Sequence, residues 1–322
     1  MQGQVQPDGA QPSLYVGIDV CKAHLDVHFH PLGKAMRVMN DRTGMARLKR
    51  ELAKFPVAKI VMEATGKYHR AAHRSLHAAG LSVAVVNPLR ARLFAEAIGA
   101  LAKTDGIDAR VLALIGERLA PDAAAPPSEA MEALQEAVRA RQAAMADRTA
   151  LLNRRGAAVS AILRDALSRL VAAIDEVVAE LDAEIARVVA SDEVLARRRT
   201  ILTSIPGIGQ VAAIALIVDL SEMGDCSGKA ASALAGLAPY ACDSGGSVGQ
   251  RRIRGGRSAL RMVLYMSAVS AARSNADLRN FYKRLRLKGK AAKIALTAVM
   301  RKLVVLANTL IKEDRLWQPV RP

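Results

Sequence analysis

Apolar and polar side chains alternate in three short segments near the start of the chain. The segments span residues 14–20, 24–30 and 34–40, and the second, with the sequence HLDVHFH, is the clearest example. Alternation with a period of two is typical of β-strands that bury one face. Pro31-Leu-Gly33 favours a turn between the second and third segments. The pattern therefore predicts three consecutive strands.

Between residues 43 and 119, segments with helical periodicity alternate with short apolar segments typical of strands. Pro88 is expected at the first turn of a helix, a position that proline favours. The predicted elements are helix 43–55, strand 59–63, helix 68–79, strand 81–87, a helix from Pro88 and helix 105–119. This order indicates the α/β class and describes a ribonuclease-H-like domain over residues 14–120.

The second half of the chain has helical periodicity almost throughout. Residues 121–127 are rich in Ala and Pro and are expected to link it to the first domain. Residues 128–196 form a coiled-coil-like region, and residues 197–322 a mainly helical C-terminal domain. The apolar seam of the coiled-coil region fits either a hairpin within the chain or a contact between chains. Its members are Leu163, Leu167, Leu170, Ile174, Val177, Leu181, Ile185 and Val188.

Charge is distributed unevenly along the 322 residues, whose formal net charge is +17. Residues 1–126 carry 17 basic and 11 acidic side chains, residues 127–243 carry 12 and 16, and residues 244–322 carry 18 and 3. A C-terminal segment of net +15 favours a polyanion, most commonly nucleic acid, over a membrane surface. Aromatic residues make up only 3%, which argues against base stacking as the main mode of binding.

Three further features bear on the class of protein. The cysteines, Cys21, Cys226 and Cys242, lack metal-type spacing and are expected to be reduced thiols. Apolar runs fall short of the roughly 18 residues of a membrane span. Residues 1–13 are polar and are expected to be a disordered lead-in.

Four acidic residues stand out by their settings. Asp19 lies inside the first strand, Glu63 ends the strand 59–63, and Asp105 and Asp108 share one face of the helix 105–119. Carboxylates from two strands and one helix are expected to converge on Mg²⁺, with Mn²⁺ as an alternative. The simpler reading makes Asp19 a buried strand acid and Asp105 a helix cap, although a carboxylate in an apolar strand needs a partner.

Two glycine-rich segments of the C-terminal domain are candidates for contact with phosphate. Residues 204–215 resemble a helix-hairpin-helix element in which Gly207 and Gly209 expose backbone N–H groups. The alternative is a tight turn without a ligand. Further along, Ser244 precedes two glycines, and its hydroxyl could attack a phosphodiester while nearby arginines neutralise charge. Ser247 competes with it, and either serine could be a simple turn residue.

Basic residues around and beyond this serine are candidate nucleic-acid contacts. The set comprises Arg251, Arg252, Arg254, Arg257, Lys283, Arg284, Arg286, Lys288, Lys290 and Lys293. Some of them are equally compatible with a solvated helix face. His24, His28 and His30 share a strand face, but no acid or cysteine completes a metal site in the sequence pattern.

Two blocks of motifs in a fixed order resemble the DEDD transposases of the insertion-sequence one-hundred-ten group. The resemblance runs from Tyr15 to about Thr309. The first block is GIDVCK at 17–22, MEATG at 62–66, VNP at 86–88 and KTDGIDA at 103–109. The second is IPGIG at 205–209, GLAP at 236–239, DSG at 243–245, RRIRGG at 251–256 and LYMSA at 264–268.

The resemblance implies a specific activity. It implies a RuvC-like domain holding Asp19, Glu63, Asp105 and Asp108, and a serine, matching Ser244, that becomes joined to DNA. It also implies a bridge RNA that pairs with donor and target DNA, a homo-oligomer, and a bacterial cytoplasmic protein associated with the nucleoid. The alternatives are a metal-dependent nuclease or junction resolvase that uses water, and a non-enzymatic DNA-binding factor.

Overall fold

The computed structural model describes residues 13–100, 105–241 and 251–319, with the backbone but not the side chain of Asp105. The chain divides into two compact units, Met1–Pro127 and Ser128–Pro322. We call them unit 1 and unit 2. Each has hydrophobic clusters of its own.

Unit 1 is a mixed α/β fold. Its elements are β1 (Leu14–Val20), β2 (His24–His30), β3 (Lys34–Met39), α1 (Arg42–Leu52), β4 (Val57–Glu63), α2 (His69–His77), β5 (Val83–Val86), α3 (Pro88–Ala97) and α4 (Asp105–Leu119). The sheet order is β3-β2-β1-β4-β5. β1 is central, antiparallel to β2 and parallel to β4. This arrangement is compatible with the ribonuclease-H-like domain that the sequence predicts.

The two faces of the sheet bury different clusters. Alternate residues of β1, among them Val16 and Ile18, face a cluster that includes Leu48 of α1 and Leu76 of α2. On the other face Val61 packs with residues of α3 and α4. The intervening residues of β1, including Asp19, therefore lie on the face that α4 covers.

The predicted elements of unit 1 agree with the structure to within a few residues. The helix from Pro88 is confirmed: Asn87 caps it by accepting a hydrogen bond from the Leu89 N–H at 2.8 Å. The first helix ends at Leu52 rather than at residue 55, because the chain turns there and Phe55 packs near Phe29, with ring centroids 6.0 Å apart.

The segment predicted as a linker is attached to unit 1 where it passes the sheet. The Ala124 N–H donates to the Val83 carbonyl of β5 at 3.1 Å. Lys59 Nζ donates to the Pro121 carbonyl at 2.6 Å, and His73 Nε2 lies 2.8 Å from the Ala124 carbonyl oxygen. These bonds tie residues 121–124 to the edge of the fold.

Unit 2 begins with a long helical hairpin, α5 (Glu129–Ala157) and α6 (Ala161–Ser191). The sequence predicts helix through residues 129–190, and the structure breaks it at residues 158–160. The helices run antiparallel: Arg141 on α5 pairs with Asp182 on α6 at 2.6 Å, and Arg148 with Asp175 at 2.5 Å. Of the two arrangements that fit the apolar seam, the hairpin within the chain is therefore present.

The rest of unit 2 is mainly helical. It comprises α7 (Glu193–Thr203), α8 (Gln210–Asp219), α9 (Gly228–Leu234), β6 (Pro239–Tyr240), β7 (Arg252–Ile253), α10 (Ser258–Ser274), α11 (Ala276–Leu287) and α12 (Ala292–Lys312). One hydrophobic cluster joins these helices to the base of the hairpin, where Leu134 and Val189 are buried.

Helix α12 corrects one expectation from the sequence. Among the described residues it is the one helix long and apolar enough to cross a membrane, by length and composition alone. Half of its apolar stretch is buried inside unit 2, where Leu303 and Val304 pack in the core. The helix is therefore accounted for as a core helix of this unit.

Candidate active site and nucleic-acid interface

Two of the predicted acids lie side by side on the sheet of unit 1. Asp19 is on β1, and Glu63 is the last residue of β4. The strands are parallel with Ile18 opposite Met62, so the next residue of each strand is again a neighbour across the ladder. Both acids are half-buried on the face that α4 covers.

Helix α4 crosses this face in direct contact with β1 because Gly17 has no side chain. A Cβ atom on Gly17 would lie 1.9 Å from the Ala109 carbonyl oxygen and 2.4 Å from the Ala113 nitrogen. Such distances are far below van der Waals contact. Asp108, which precedes Ala109, is thereby carried to the sheet face that holds Asp19 and Glu63.

Glu63 and Asp108 both line a cavity of about 810 Å³. Residues of α3 complete its wall, including Arg92 and Glu96, which form an ion pair at 3.1 Å. The backbone of Asp105 begins α4, one turn before Asp108. Among the side chains that the structure describes, no three metal-binding groups cluster closely enough to hold an ion as they stand.

Asn40 is a residue of this region that the sequence pattern did not identify. Its Nδ2 donates to the Cys21 carbonyl at 2.9 Å and to the Tyr68 carbonyl at 3.2 Å. It thereby ties the turn after β1 to the segment that follows β4. Asp19 and Glu63 lie just before these two segments, so Asn40 helps to fix their spacing.

The three histidines of β2 have separate contacts. His24 Nδ1 lies 3.1 Å from Cys21 Sγ, and its Nε2 lies 3.1 Å from Asp26 Oδ2. His30 Nε2 lies 3.3 Å from Glu117 of α4. Burial lowers the pKa of His28, and the nearby Arg110 and His30 lower it further. The expectation that no acid or cysteine accompanies these histidines is therefore wrong for His24, which has Cys21 at one ring nitrogen and Asp26 at the other.

The two glycines between α7 and α8 differ in their surroundings. Gly207 has φ +106°, and a Cβ there would lie 2.4 Å from Ala271 Cβ of α10. Its conformation and close packing account for glycine at this position. Gly209, the N-cap of α8, is exposed, and a Cβ there would meet nothing within 4 Å. Gly209 is therefore the glycine open to a ligand.

Ser244 and its competitor Ser247 lie outside the described residues. The strands β6 and β7, which precede and follow them, pair in antiparallel register with Tyr240 opposite Arg252. Close backbone contact continues beyond the pair, since a Cβ on Gly256 would lie 2.2 Å from the Gly236 nitrogen. The two ends of the serine-containing segment are therefore held together.

The four arginines after this segment fall into two groups. Arg251, Arg252 and Arg254 are exposed. Arg257 instead donates two hydrogen bonds to the Glu222 carboxylate, at 2.8 and 2.6 Å. Burial is the largest single influence on the pKa of Glu222 and raises it, but the hydrogen bonds and charge of Arg257, together with hydrogen bonds from the Glu222 backbone and Ser221, lower the pKa overall.

The predicted basic stretch forms the end of the α11–α12 hairpin, and all six of its cationic side chains are exposed. Two cations are positioned by an aromatic ring: Lys302 Nζ lies 4.3 Å and Arg284 Cζ 5.6 Å from the Phe281 ring centroid. Cations near an aromatic face are held by its quadrupole. Of the six cations in the stretch, Arg284 is the one near this ring, and the stretch as a whole presents an exposed positive surface.

Comparison with known proteins gives a consistent assignment. A family model of IS110-type DEDD transposases, described as "Transposase", matches residues 16–163. A second model, "Transposase IS116/IS110/IS902 family", matches residues 199–283. The two matches together take in the four acids and the segment with Ser244.

Curated relatives agree with these matches. The chain is 29% identical to the pilin gene-inverting protein of Moraxella bovis over 313 residues, which cover 94% of this chain and 96% of the relative. The corresponding protein of Moraxella lacunata matches equally. An uncharacterized 44.8 kDa protein of the insertion element IS116 from Streptomyces clavuligerus is 32% identical over 160 residues, covering 48% of this chain and 39% of the relative. The chain therefore belongs to the IS110 family of transposases, enzymes that recombine DNA.

Proposed function

We propose that this transposase breaks and rejoins the DNA of an insertion sequence through a covalent serine–DNA intermediate. The observation that carries the proposal is the grouping of Asp19, Glu63 and Asp108 on one face of the unit 1 sheet, with two of them lining one cavity. Two relatives are named for inverting a pilin gene. Inversion requires that cut ends be rejoined, which favours a covalent intermediate over hydrolysis by water.

The donor set suits a hard divalent cation. Asp19, Glu63, Asp105 and Asp108 offer the carboxylate oxygens that Mg²⁺ prefers, with Mn²⁺ as an alternative. When bound, the cation would offset negative charge on the scissile phosphate. The cavity also has Arg92 in its wall, so a phosphate there would meet a guanidinium as well.

The proposed nucleophile is Ser244. Its Oγ attacks the scissile phosphorus, and an Oγ–P bond forms as the bond from phosphorus to the leaving sugar oxygen breaks. The serine proton passes to solvent, and the leaving oxygen takes a proton from solvent. The reverse reaction with a second DNA end restores the phosphodiester. The exposed Arg251, Arg252 and Arg254 would offset charge on the phosphoryl oxygens.

The proposed partners are donor and target DNA, a bridge RNA and further copies of the chain. Gly209 and the exposed basic stretch of α11 and α12 would bind phosphate. A guide RNA would leave the choice of sequence to base pairing. We propose that the protein acts in the bacterial cytoplasm at the nucleoid.

Trapping the covalent adduct tests the nucleophile. The full chain is incubated with labelled donor and target duplexes, Mg²⁺ and the RNA transcribed from the non-coding DNA beside its gene, and protein–DNA adducts are resolved under denaturing conditions. Ser244→Ala is expected to abolish the adduct and Ser247→Ala to retain it. An adduct formed by Ser244→Ala overturns the assignment, and hydrolysed DNA without any adduct supports the water-using nuclease.

The metal site is tested in the same assay. Asp19→Asn, Glu63→Gln, Asp105→Asn and Asp108→Asn are each expected to reduce recombination at least a hundredfold, as removal of a group that stabilises transition-state charge typically does. Glu117→Gln, another acid of α4, is the matched control and should recombine normally. Full activity of Asp19→Asn in Mg²⁺ would refute the metal assignment.

RNA guidance is tested by replacing the RNA. Altering the loop of that RNA which pairs with target DNA should redirect recombination to the newly complementary target. If the reaction proceeds equally well without RNA, guidance is excluded and the protein itself selects its sites.

A further inference from the structure

The turn between α11 and α12 combines dense positive charge with a defined backbone. We call residues Lys283–Lys293 the basic tip; they contain six basic and no acidic residues. Gly289 has φ +74°, and the Lys290 and Gly289 N–H groups donate to the carbonyls of Leu285 and Arg286, at 3.1 and 3.0 Å. This pair of bonds is a Schellman motif, which fixes the helix end.

Leu287 is an anomaly within this tip. Its side chain is 89% exposed, the highest value of any leucine among the exposed large apolar residues of the described structure. Helix α11 packs into unit 2 through Leu278, Phe281 and Tyr282. Leu287 follows Leu278 by nine residues, which places it roughly 180° around the helix from that buried face. Packing within the chain therefore does not account for it.

The neighbours of Leu287 indicate what could cover it. Arg286 and Lys288 flank it in sequence, and Lys290 and Lys293 lie on the same tip, all of them exposed. A hydrophobic protein partner would have to desolvate these charges. A nucleic-acid duplex satisfies both features, because its phosphates attract the cations and its stacked bases are apolar.

We infer that Leu287 is a wedge that enters the minor groove of duplex DNA and inserts between two base pairs, while the cations of the basic tip bind the flanking phosphates. Proteins that kink DNA commonly insert Leu, Ile, Met or Phe in this way and bend the duplex by about 20–90°. The inference rests on the proposed contact of this stretch with nucleic acid, and it names the form of that contact.

The fixed turn supports this role. A wedge must hold its position against the cost of unstacking, and the Schellman bonds together with the Arg286 hydrogen bond to the Lys290 carbonyl at 2.6 Å hold the backbone on both sides of Gly289. Leu287 precedes this turn by two residues, so its direction is set by the end of α11.

Bending and unstacking are the measurements that separate a wedge from a phosphate contact. The full chain is bound to a short duplex with a fluorophore at each end, for energy transfer, and 2-aminopurine at internal positions. The unmodified chain should bend the duplex and raise 2-aminopurine fluorescence. Leu287→Ala should abolish both signals while affinity falls by roughly tenfold or less. Leu287→Met, which keeps a long apolar side chain, should restore them, and Leu32→Ala, at an exposed leucine of unit 1, should change nothing.

Two outcomes decide against the wedge, and a third addresses the phosphate contact. Bending and unstacking by Leu287→Ala at the level of the unmodified chain overturn the inference. If Leu287→Ala weakens binding of structured RNA but leaves DNA bending intact, the partner is RNA and the inference also fails. The proposed phosphate contact is judged separately with Lys288→Gln and Lys290→Gln, which should weaken DNA binding whether or not Leu287 is a wedge.

Discussion

A single hydrogen at Gly17 decides how closely α4 approaches the sheet. The atoms that a methyl group would meet belong to the backbone of α4, at Ala109 and Ala113, and cannot rotate away. We expect Gly17→Ala to destabilise unit 1 by about 1–3 kcal/mol, the usual range for overpacking. It should also abolish recombination, because α4 carries Asp108.

The measurements for Gly17→Ala are chemical denaturation followed by circular dichroism, and the recombination assay. Gly106→Ala is the matched control for stability: it lies on the same helix, and a Cβ there would meet nothing within 4 Å. It should leave stability unchanged or raise it by up to about 1 kcal/mol. Equal stability of Gly17→Ala and the unmodified protein would contradict the close approach.

His28 gives a prediction for pH. Burial, together with Arg110 and His30, lowers its pKa in the folded protein below the ordinary value of 6.5. The unfolded chain therefore binds a proton at His28 more readily, and the stability of unit 1 should fall as pH falls through 6.5 towards the lowered pKa. Thermal unfolding between pH 8 and 5 measures this, and His28→Gln should flatten the decline.

The control for His28 is His77→Gln, which removes an exposed imidazole from α2. If His28→Gln and His77→Gln change the pH dependence equally, the decline does not come from His28. Opposite behaviour, with stability rising as pH falls, would contradict the direction of the pKa shift.

The sequence predicted one feature of the candidate site, the neighbouring positions of Asp19 and Glu63 on the sheet. Asp19 and Glu63 were expected together because each lies in or at the end of an apolar strand, and period-two alternation fixes the face. The role of Gly17 was not predictable from the sequence. Glycine is required there because α4 crosses β1 at that residue, and the sequence pattern of β1 does not show where α4 crosses. Asn40 was missed for a related reason: its partners are backbone carbonyls, which leave no trace in the sequence.

Helix α6 has an apolar stripe that is wider than its one partner helix covers. Leu167 and Val171 are buried in the hairpin, whereas Leu163, Leu170 and Val177, spaced by seven residues, are 50%, 53% and 47% exposed. A seven-residue repeat is typical of a helix that packs along a second helix. We expect this exposed edge to contact another copy of the chain.

The oligomer contact is tested with Leu170→Glu combined with Val177→Glu. The double variant should have a lower molar mass by light scattering after size exclusion, and it should keep its helical content. Ala172→Glu introduces one such charge at an exposed position on the opposite side of α6 and is the control. An unchanged oligomer in the double variant would place the contact elsewhere.

The seam of α6 also marks the limit of element prediction. Its periodicity indicated helix correctly but could not choose between a partner in the same chain and one in another chain, because both bury the same side chains. The choice is made by the break at residues 158–160 and by the two arginine–aspartate pairs that join α5 to α6. The partners are 41 and 27 residues apart in sequence, and the apolar seam of α6 does not include them.

The net charge of each segment was readable from composition, but its arrangement in the fold was not. Residues 128–243 are net acidic and residues 244–322 strongly basic, yet both belong to unit 2. Unit 2 therefore has regions of opposite charge. The basic tip lies at the end of the α11–α12 hairpin, and the acidic surplus lies on and around the α5–α6 hairpin.

This asymmetry predicts how DNA binding responds to salt. Each phosphate neutralised by the protein adds about 0.9 to the slope of log affinity against log salt concentration. If Lys288, Lys290 and Lys293 each contact a phosphate, replacing all three by Gln should reduce the slope by about 2–3. The slope is measured by fluorescence anisotropy of a labelled duplex over a salt titration.

A matched variant separates local contact from overall charge. Arg154→Gln, Arg164→Gln and Arg169→Gln together remove the same three charges from exposed positions of the α5–α6 hairpin. If DNA is bound at the basic tip, this control should keep the slope of the unmodified protein. If both triple variants lower the slope equally, net charge alone drives binding and the tip is not the contact. If the slope is unchanged in the lysine variant, the DNA interface is not at the basic tip, and the exposed arginines around β7 become the next candidates.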